Sequence, residues 1–132
     1  MSADKAYVDS SAFLKLIGPE AESEAMKVYL LEWPQSVSSG LLRVEVLRTA
    51  AKWGPETVAA AREHLESVEL IAIDHLVLEQ AATIGPRILR SLDAIHLATA
   101  QQLGTDLGVI VTYDRRLAQA AVELGLPVAA PA

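Results

Sequence analysis

Short β-type segments alternate with helical ones along this chain, and three Gly-Pro pairs punctuate the series. Strands separated by helices pair in parallel through crossovers, which places helices on both faces of the sheet. The first segment, Ala6–Asp9, is apolar up to its terminal acid. Ser10-Ser11 and the helical pattern Phe13, Leu14, Leu16, Ile17 follow, and Gly18-Pro19 stops that helix. A second helix is expected over residues 20–33, ended by Pro34. Residues 36–39 read as a short strand, and Ser39 is placed to cap a helix over 40–53. Gly54-Pro55 closes it, and another helix follows over 56–66. Residues 70–73 read as a strand, with Asp74 as N-cap of a helix from His75 that Gly85-Pro86 breaks. Residues 92–103 are helical up to Gly104, and Asp106 reads as a loop residue. Val109–Thr112 is a strongly apolar, β-branched strand. Asp114 opens a helix that runs to Gly125, and residues 127–130 form a last short strand.

The expectation is one α/β domain over residues 1–132, a three-layer α/β/α sandwich with a central parallel sheet. Its 132 residues are enough for a substantial core, and with 52% hydrophobic and 21% charged residues the chain should fold. In open parallel sheets, sites lie beyond the carboxyl ends of the strands. Asp9 and Asp114 both stand at such ends, so they can share a pocket.

Each of four acids also has a plainer role. Asp9 and Asp114 can cap the helices that follow them, Glu45 can pair with Arg48, and Asp93 can face water. Their joint setting argues for more. Asp9 and Asp114 end apolar strands, while Glu45 and Asp93 lie in the apolar runs 41–47 and 92–100. A carboxylate so flanked is costly unless a cation or hydrogen-bond donors compensate it.

Four pieces carry a family resemblance: Val8-Asp9-Ser10-Ser11, Glu45 after a Ser-rich strand, Leu92-Asp93-Ala94-Ile95-His96-Leu97-Ala98-Thr99-Ala100, and Thr112-Tyr113-Asp114. In order and spacing they resemble the PIN-domain family, most closely its VapC-type toxins of toxin–antitoxin pairs. The resemblance implies a PIN-like α/β/α sandwich and a metal-dependent endoribonuclease cutting structured RNA, tRNA or rRNA. It implies Mg²⁺, with Mn²⁺ as the alternative, since hard cations prefer carboxylate and water oxygen. Asp9 and Asp93 are the expected direct ligands, and Asp114 a direct or water-mediated one. Glu45 completes the acidic pocket or orients the attacking water. Thr112 is a candidate to bond a carboxylate or a metal-bound water. Ser10 is a candidate to position Asp9 or contact phosphate, with capping as its plainer role. A cognate VapB-like antitoxin and a homodimer are the implied partners, with the helices over 20–33 and 40–53 as candidate docking surfaces.

His96 follows Asp93 by three residues and so lies near the same helical face, but an all-carboxylate site does not require it and packing is its expected role. Packing is likewise expected of Trp33 and Trp53, while Tyr113 can stack on a base. Arg115 and Arg116 can meet RNA phosphates, a partner's acidic tail, or only solvent.

Composition removes other classes. With no cysteine there are no disulfides, thiolate metal sites or cysteine nucleophiles, as suits a reducing cytosol. Asp4 and Asp9 bracket the first apolar run and leave no signal-peptide core, and no run approaches the ~18 apolar residues of a membrane span. A cytoplasmic protein without membrane contact is expected. The net charge of −6 argues against tight nonspecific nucleic-acid binding. Bound cations would offset part of it, and arginines group locally at 87/90 and 115/116. A receiver domain wants a late lysine, and none follows Lys52. A haloacid-dehalogenase-like phosphatase wants an acid where Ser11 stands. No phosphate-binding glycine motif is present. The remaining alternative is a catalytically silent PIN-like module that binds protein or RNA.

Overall fold

The structure, a computed structural model, describes residues 3–132. Five parallel strands form the sheet: β1 (Lys5–Val8), β2 (Gln35–Ser39), β3 (Glu69–Ile71), β4 (Leu107–Val111) and β5 (Val128–Ala129), in the order β3-β2-β1-β4-β5. Between them run α1 (Ser10–Ile17), α2 (Ser23–Leu31), α3 (Leu41–Trp53), α4 (Pro55–Leu65), α5 (His75–Ala81), α6 (Ser91–Gln102) and α7 (Arg115–Glu123). This is the expected α/β/α sandwich.

Strand side chains alternate between faces, and the core divides accordingly. Ala6, Val8, Val109 and Val111 pack with Phe13, Met26, Leu42, Val46 and Leu65 of α1–α4. Tyr7, Val37 and Ile110 pack on the opposite face with Leu97 of α6 and Leu117 and Ala121 of α7. Phe13 is fully buried. Truncating such a side chain to Ala typically costs ~3–5 kcal/mol, so α1 is firmly seated behind Asp9.

Several boundaries differ from the expectation for local reasons. α2 starts at Ser23, not residue 20, because Ser23 closes a turn before it. The Ser23 hydroxyl donates to the Gly18 carbonyl at 2.6 Å and accepts from the Glu20 N–H at 2.9 Å. Gly40, not Ser39, holds the α3 cap position, while Ser39 Oγ accepts from the Leu41 N–H at 3.1 Å. β4 begins at Leu107 and ends at Val111, leaving Thr112 just past the sheet edge. Asp106 ends a single 3₁₀ turn over Gly104–Asp106. Gly108 lies so close to the Trp33 ring and the Ala3 carbonyl that a Cβ there would collide with both. No helix among the described residues is long and apolar enough to cross a membrane.

Candidate active site

The strand order places β1 beside β4 at the centre, with later strands leaving in opposite directions. That arrangement opens a crevice beyond the carboxyl ends of β1 and β4. Asp9 follows β1 directly, and Asp114 lies three residues beyond β4.

Asp9 is 3% exposed and is held by three donors. Its Oδ1 accepts from Ser11 Oγ at 2.7 Å and from the Ala12 N–H at 2.9 Å, capping α1. Its Oδ2 accepts from Thr112 Oγ1 at 2.5 Å. An ionised carboxylate offers about four lone-pair sites, so one remains, on Oδ2. Both hydroxyl protons are spent on Asp9. Ser11 and Thr112 use lone pairs for the N–H groups of Tyr113 and Asp114, at 2.9 and 3.0 Å. The end of β1 is thereby tied to the chain leaving β4. Burial pushes the Asp9 carboxyl above its ordinary range despite these donors, of which Thr112 opposes the shift most.

Ser11, rather than Ser10, is the hydroxyl that bonds Asp9. Ser10 opens α1 and lines a separate cavity with Leu41, Val44, Glu45 and Arg48. Ser11 was absent from the sequence-derived candidates. The available signal was its place two residues after a capping acid, where a hydroxyl can turn back onto the carboxylate.

Asp93, in the first turn of α6, and Asp114, the N-cap of α7, line a cavity of about 320 Å³ with Arg90, Arg115 and Arg116. Asp114 Oδ1 accepts from the N–H groups of Arg116 and Leu117 at 2.9 and 3.2 Å. Burial raises the pKa of Asp93, and the charge of Asp114 adds to the shift. Asp9 and Glu45 add further, while His96 opposes. The four acids therefore share one electrostatic neighbourhood. Among the described residues, no arginine forms an ion pair with any of them. A larger depression of about 560 Å³ lies along residues 81–91, but no carboxylate lines it, so the acidic cavity is the better candidate for chemistry.

Glu45, on α3, lines the cavity of Ser10 rather than that of Asp93 and Asp114, and is bound by α6: His96 Nε2 lies 2.7 Å from Glu45 Oε1. The other ring nitrogen of His96 is 2.7 Å from the Tyr7 hydroxyl. Burial drives the Tyr7 pKa far above the ordinary phenol range, so its hydroxyl keeps its proton. Trp33 and Trp53 stand away from this cluster: Trp33 packs against the first core, and the Trp53 ring lies against Gly18. Tyr113 donates its hydroxyl to the Pro131 carbonyl at 2.6 Å and carries the Lys15 ammonium over its ring, 5.1 Å from the centroid.

The donor set is all oxygen, as Mg²⁺ or Mn²⁺ requires, and among the described residues Asp9, Asp93 and Asp114 form no ion pair. Among the described residues, however, no three His, Cys, Asp or Glu side chains stand close enough to form a ready-made ion cage. The chemistry fits a hard divalent cation, but closure around one needs side-chain rotation, water or a ligand oxygen.

Comparison with known proteins supplies the class. Residues 6–123 match the PIN domain. The chain is 47% identical over 125 residues to Ribonuclease VapC46 of Mycobacterium tuberculosis, covering 95% of this chain and 96% of that protein. Two solved structures share the fold. One is M. tuberculosis VapC20, described as a sarcin-ricin loop cleaving toxin (TM-score 0.74, 18% identity, 87% of this chain and 94% of that one). The other is in a toxin–antitoxin complex from Klebsiella pneumoniae (TM-score 0.71, 24% identity, 96% and 98%). The chain belongs to the PIN-domain family and is of its VapC type.

Proposed function

We propose that this protein is a metal-dependent endoribonuclease acting as the toxin of a toxin–antitoxin pair. The observation that carries the reading is the under-compensated acid cluster at the sheet's central crevice. Burial and like charge hold Asp93 above its ordinary range, and burial does the same to Asp9. A bound divalent cation relieves both costs. The ribonuclease name of the 47% identical relative supports the same activity.

Asp9, through its remaining Oδ2 lone pair, together with Asp93 and Asp114, would hold Mg²⁺, with Mn²⁺ as substitute. When bound, the cation supplies Lewis acidity toward phosphate and water oxygens. Ser11 and Thr112 keep Asp9 in place. Glu45, anchored by one oxygen, has Oε2 left to accept a hydrogen bond from the attacking water. Arg90, Arg115 and Arg116 rim the cavity and suit flanking phosphates of the RNA strand. The substrate is structured RNA, tRNA or rRNA, where loop shape sets specificity. A VapB-like antitoxin is the expected inhibitor, in keeping with the toxin–antitoxin complex found among fold neighbours. A homodimer and a cytoplasmic location complete the proposal.

The rival reading is a catalytically silent PIN-like module that binds protein or RNA. Purified protein incubated with total RNA in Mg²⁺ or Mn²⁺ separates the two. The enzyme reading expects discrete fragments that EDTA, Asp9→Asn and Asp93→Asn each abolish. Intact RNA with wild-type protein in either metal contradicts it.

A further inference from the structure

One buried polar row has no use in the scheme so far. It starts at Tyr7 in β1, passes through His96 in α6 and ends at Glu45 in α3. Tyr7 is 0% and His96 1% exposed, and both hydrogen bonds of the row measure 2.7 Å. The two rings meet edge to face, with centroids 5.8 Å apart and planes at 77°. Sheet and both helix layers are thus joined by two bonds at the crevice.

One proton of this row can be placed. A neutral imidazole carries one N–H and one acceptor nitrogen, whereas a carboxylate only accepts. The nearby hydroxyls are committed elsewhere: Ser38 donates to the Val8 carbonyl at 2.6 Å and Thr99 to the Ile95 carbonyl at 2.7 Å. Facing a carboxylate, His96 Nε2 must carry a proton, which it donates to Glu45 Oε1, while Nδ1 meets the Tyr7 hydroxyl, a group able to donate or accept. The other tautomer sets an imidazole lone pair against a carboxylate oxygen. No buried side-chain polar atom is left without a partner among the described residues.

We propose that His96 is a positioning residue for RNA cleavage, fixing Glu45 through its Nε2–H, and that Tyr7 braces the imidazole at its other nitrogen. This rests on the ribonuclease reading above. A Glu side chain at the rim of a helix has several rotamers, and a fixed donor on one oxygen selects one of them. The other oxygen, Oε2, is then held in place for its task. Apolar residues would fill the same core volume without a buried polar chain, and a net ~0.5–1.5 kcal/mol per ordinary hydrogen bond is a modest return in stability. Orientation of a site carboxylate is the more demanding use. Loss of such an outer partner typically costs ~10–100-fold in activity or metal affinity.

The test compares His96→Gln, His96→Asn and Tyr7→Phe with wild type. Gln places its amide nitrogen near the Nε2 position and keeps a donor for Glu45; Asn places it near Nδ1 and does not. Expected is a roughly 10–100-fold fall in kcat for Asn with KM nearly unchanged, and substantial rescue by Gln at a similar Tm. In ¹⁵N-histidine spectra, His96 should carry a proton on Nε2 both in wild type and in Tyr7→Phe, where Glu45 still faces it. If Asn and Gln lose activity equally and in step with Tm, or if wild-type His96 carries its proton on Nδ1 alone, the positioning role is overturned. Failure of the wild type to cut RNA brings down the ribonuclease reading itself, and this role with it.

Discussion

Replacing Thr112 with Val removes one hydroxyl and nearly nothing else. Val matches the shape of Thr, and the site is 1% exposed, so the change opens almost no cavity. Three contacts of Oγ1 disappear: the 2.5 Å donation to Asp9 Oδ2, the acceptor for the Asp114 N–H at 3.0 Å and a long 3.3 Å approach to Ser11 Oγ. A hydrogen bond to a charged group contributes ~1.5–3 kcal/mol, and the Asp114 N–H, beside the open cavity, can recover part of its loss from water. The expected total is ~2–3 kcal/mol. At ~2.1 cal/mol/K per residue, unfolding of 132 residues changes by roughly 3.6 °C per kcal/mol, giving a Tm fall of roughly 7–11 °C. The loss should depend on pH. Thr112 is the leading influence holding the Asp9 pKa down, so the variant raises a folded pKa that already exceeds the unfolded value. A carboxyl raised in this way contributes stability that is fully present below its unfolded pKa and lost as pH rises through the folded one. The deficit of the variant is therefore smaller near pH 4 than near pH 8. Urea melts of both proteins in EDTA at these two pH values measure it. A deficit under ~0.5 kcal/mol, or an equal one at both pH values, refutes the claim that Thr112 stabilises the ionised form of Asp9.

Asp93→Asn should raise the metal-free Tm at neutral pH, because it removes a charge that burial and Asp114 both disfavour, while abolishing cleavage. Differential scanning calorimetry beside an RNA assay checks both halves. Mg²⁺ should raise the wild-type Tm more near pH 8 than near pH 5, since protons compete for the raised carboxyls Asp9 and Asp93, and Asp9→Asn should blunt the rise. A metal titration followed by melting at each pH reads this out. Arg116→Ala should weaken RNA binding and flatten its salt dependence by about one unit of slope if the side chain meets a phosphate; filter binding across a salt series measures it. Gly108→Ala should leave little soluble folded protein, because Trp33 and the Ala3 backbone occupy the space of the new methyl group; soluble yield and far-UV circular dichroism report the outcome.

The alternation of segments and the Gly-Pro stops were enough to read the layers, because periodicity and backbone breakers are local properties. Val109, Ile110 and Val111 declare a buried strand by composition alone, and Asp9, Asp74 and Asp114 all cap the helices expected of them. The candidate site was legible as acids at two strand ends and in two apolar helices, but their partners were not. Ser11 and Thr112 meet on Asp9 from positions 101 residues apart. Tyr7, His96 and Glu45 come from three elements whose contact depends on strand order, which periodicity does not encode. The same limit explains Tyr113, whose bond to the Pro131 carbonyl is set by where the chain passes after β5.

The central claim is that the acids at the ends of β1 and β4 form a cation-dependent RNA-cleaving site. The most direct measurement is the mapping of RNA ends after incubating total RNA with purified wild-type or Asp9→Asn protein, each in Mg²⁺ and in EDTA. The account predicts new ends at a few structured loops with wild type in Mg²⁺, and none in the other three reactions. Cleavage that persists in EDTA, or in Asp9→Asn at the wild-type rate, would contradict it.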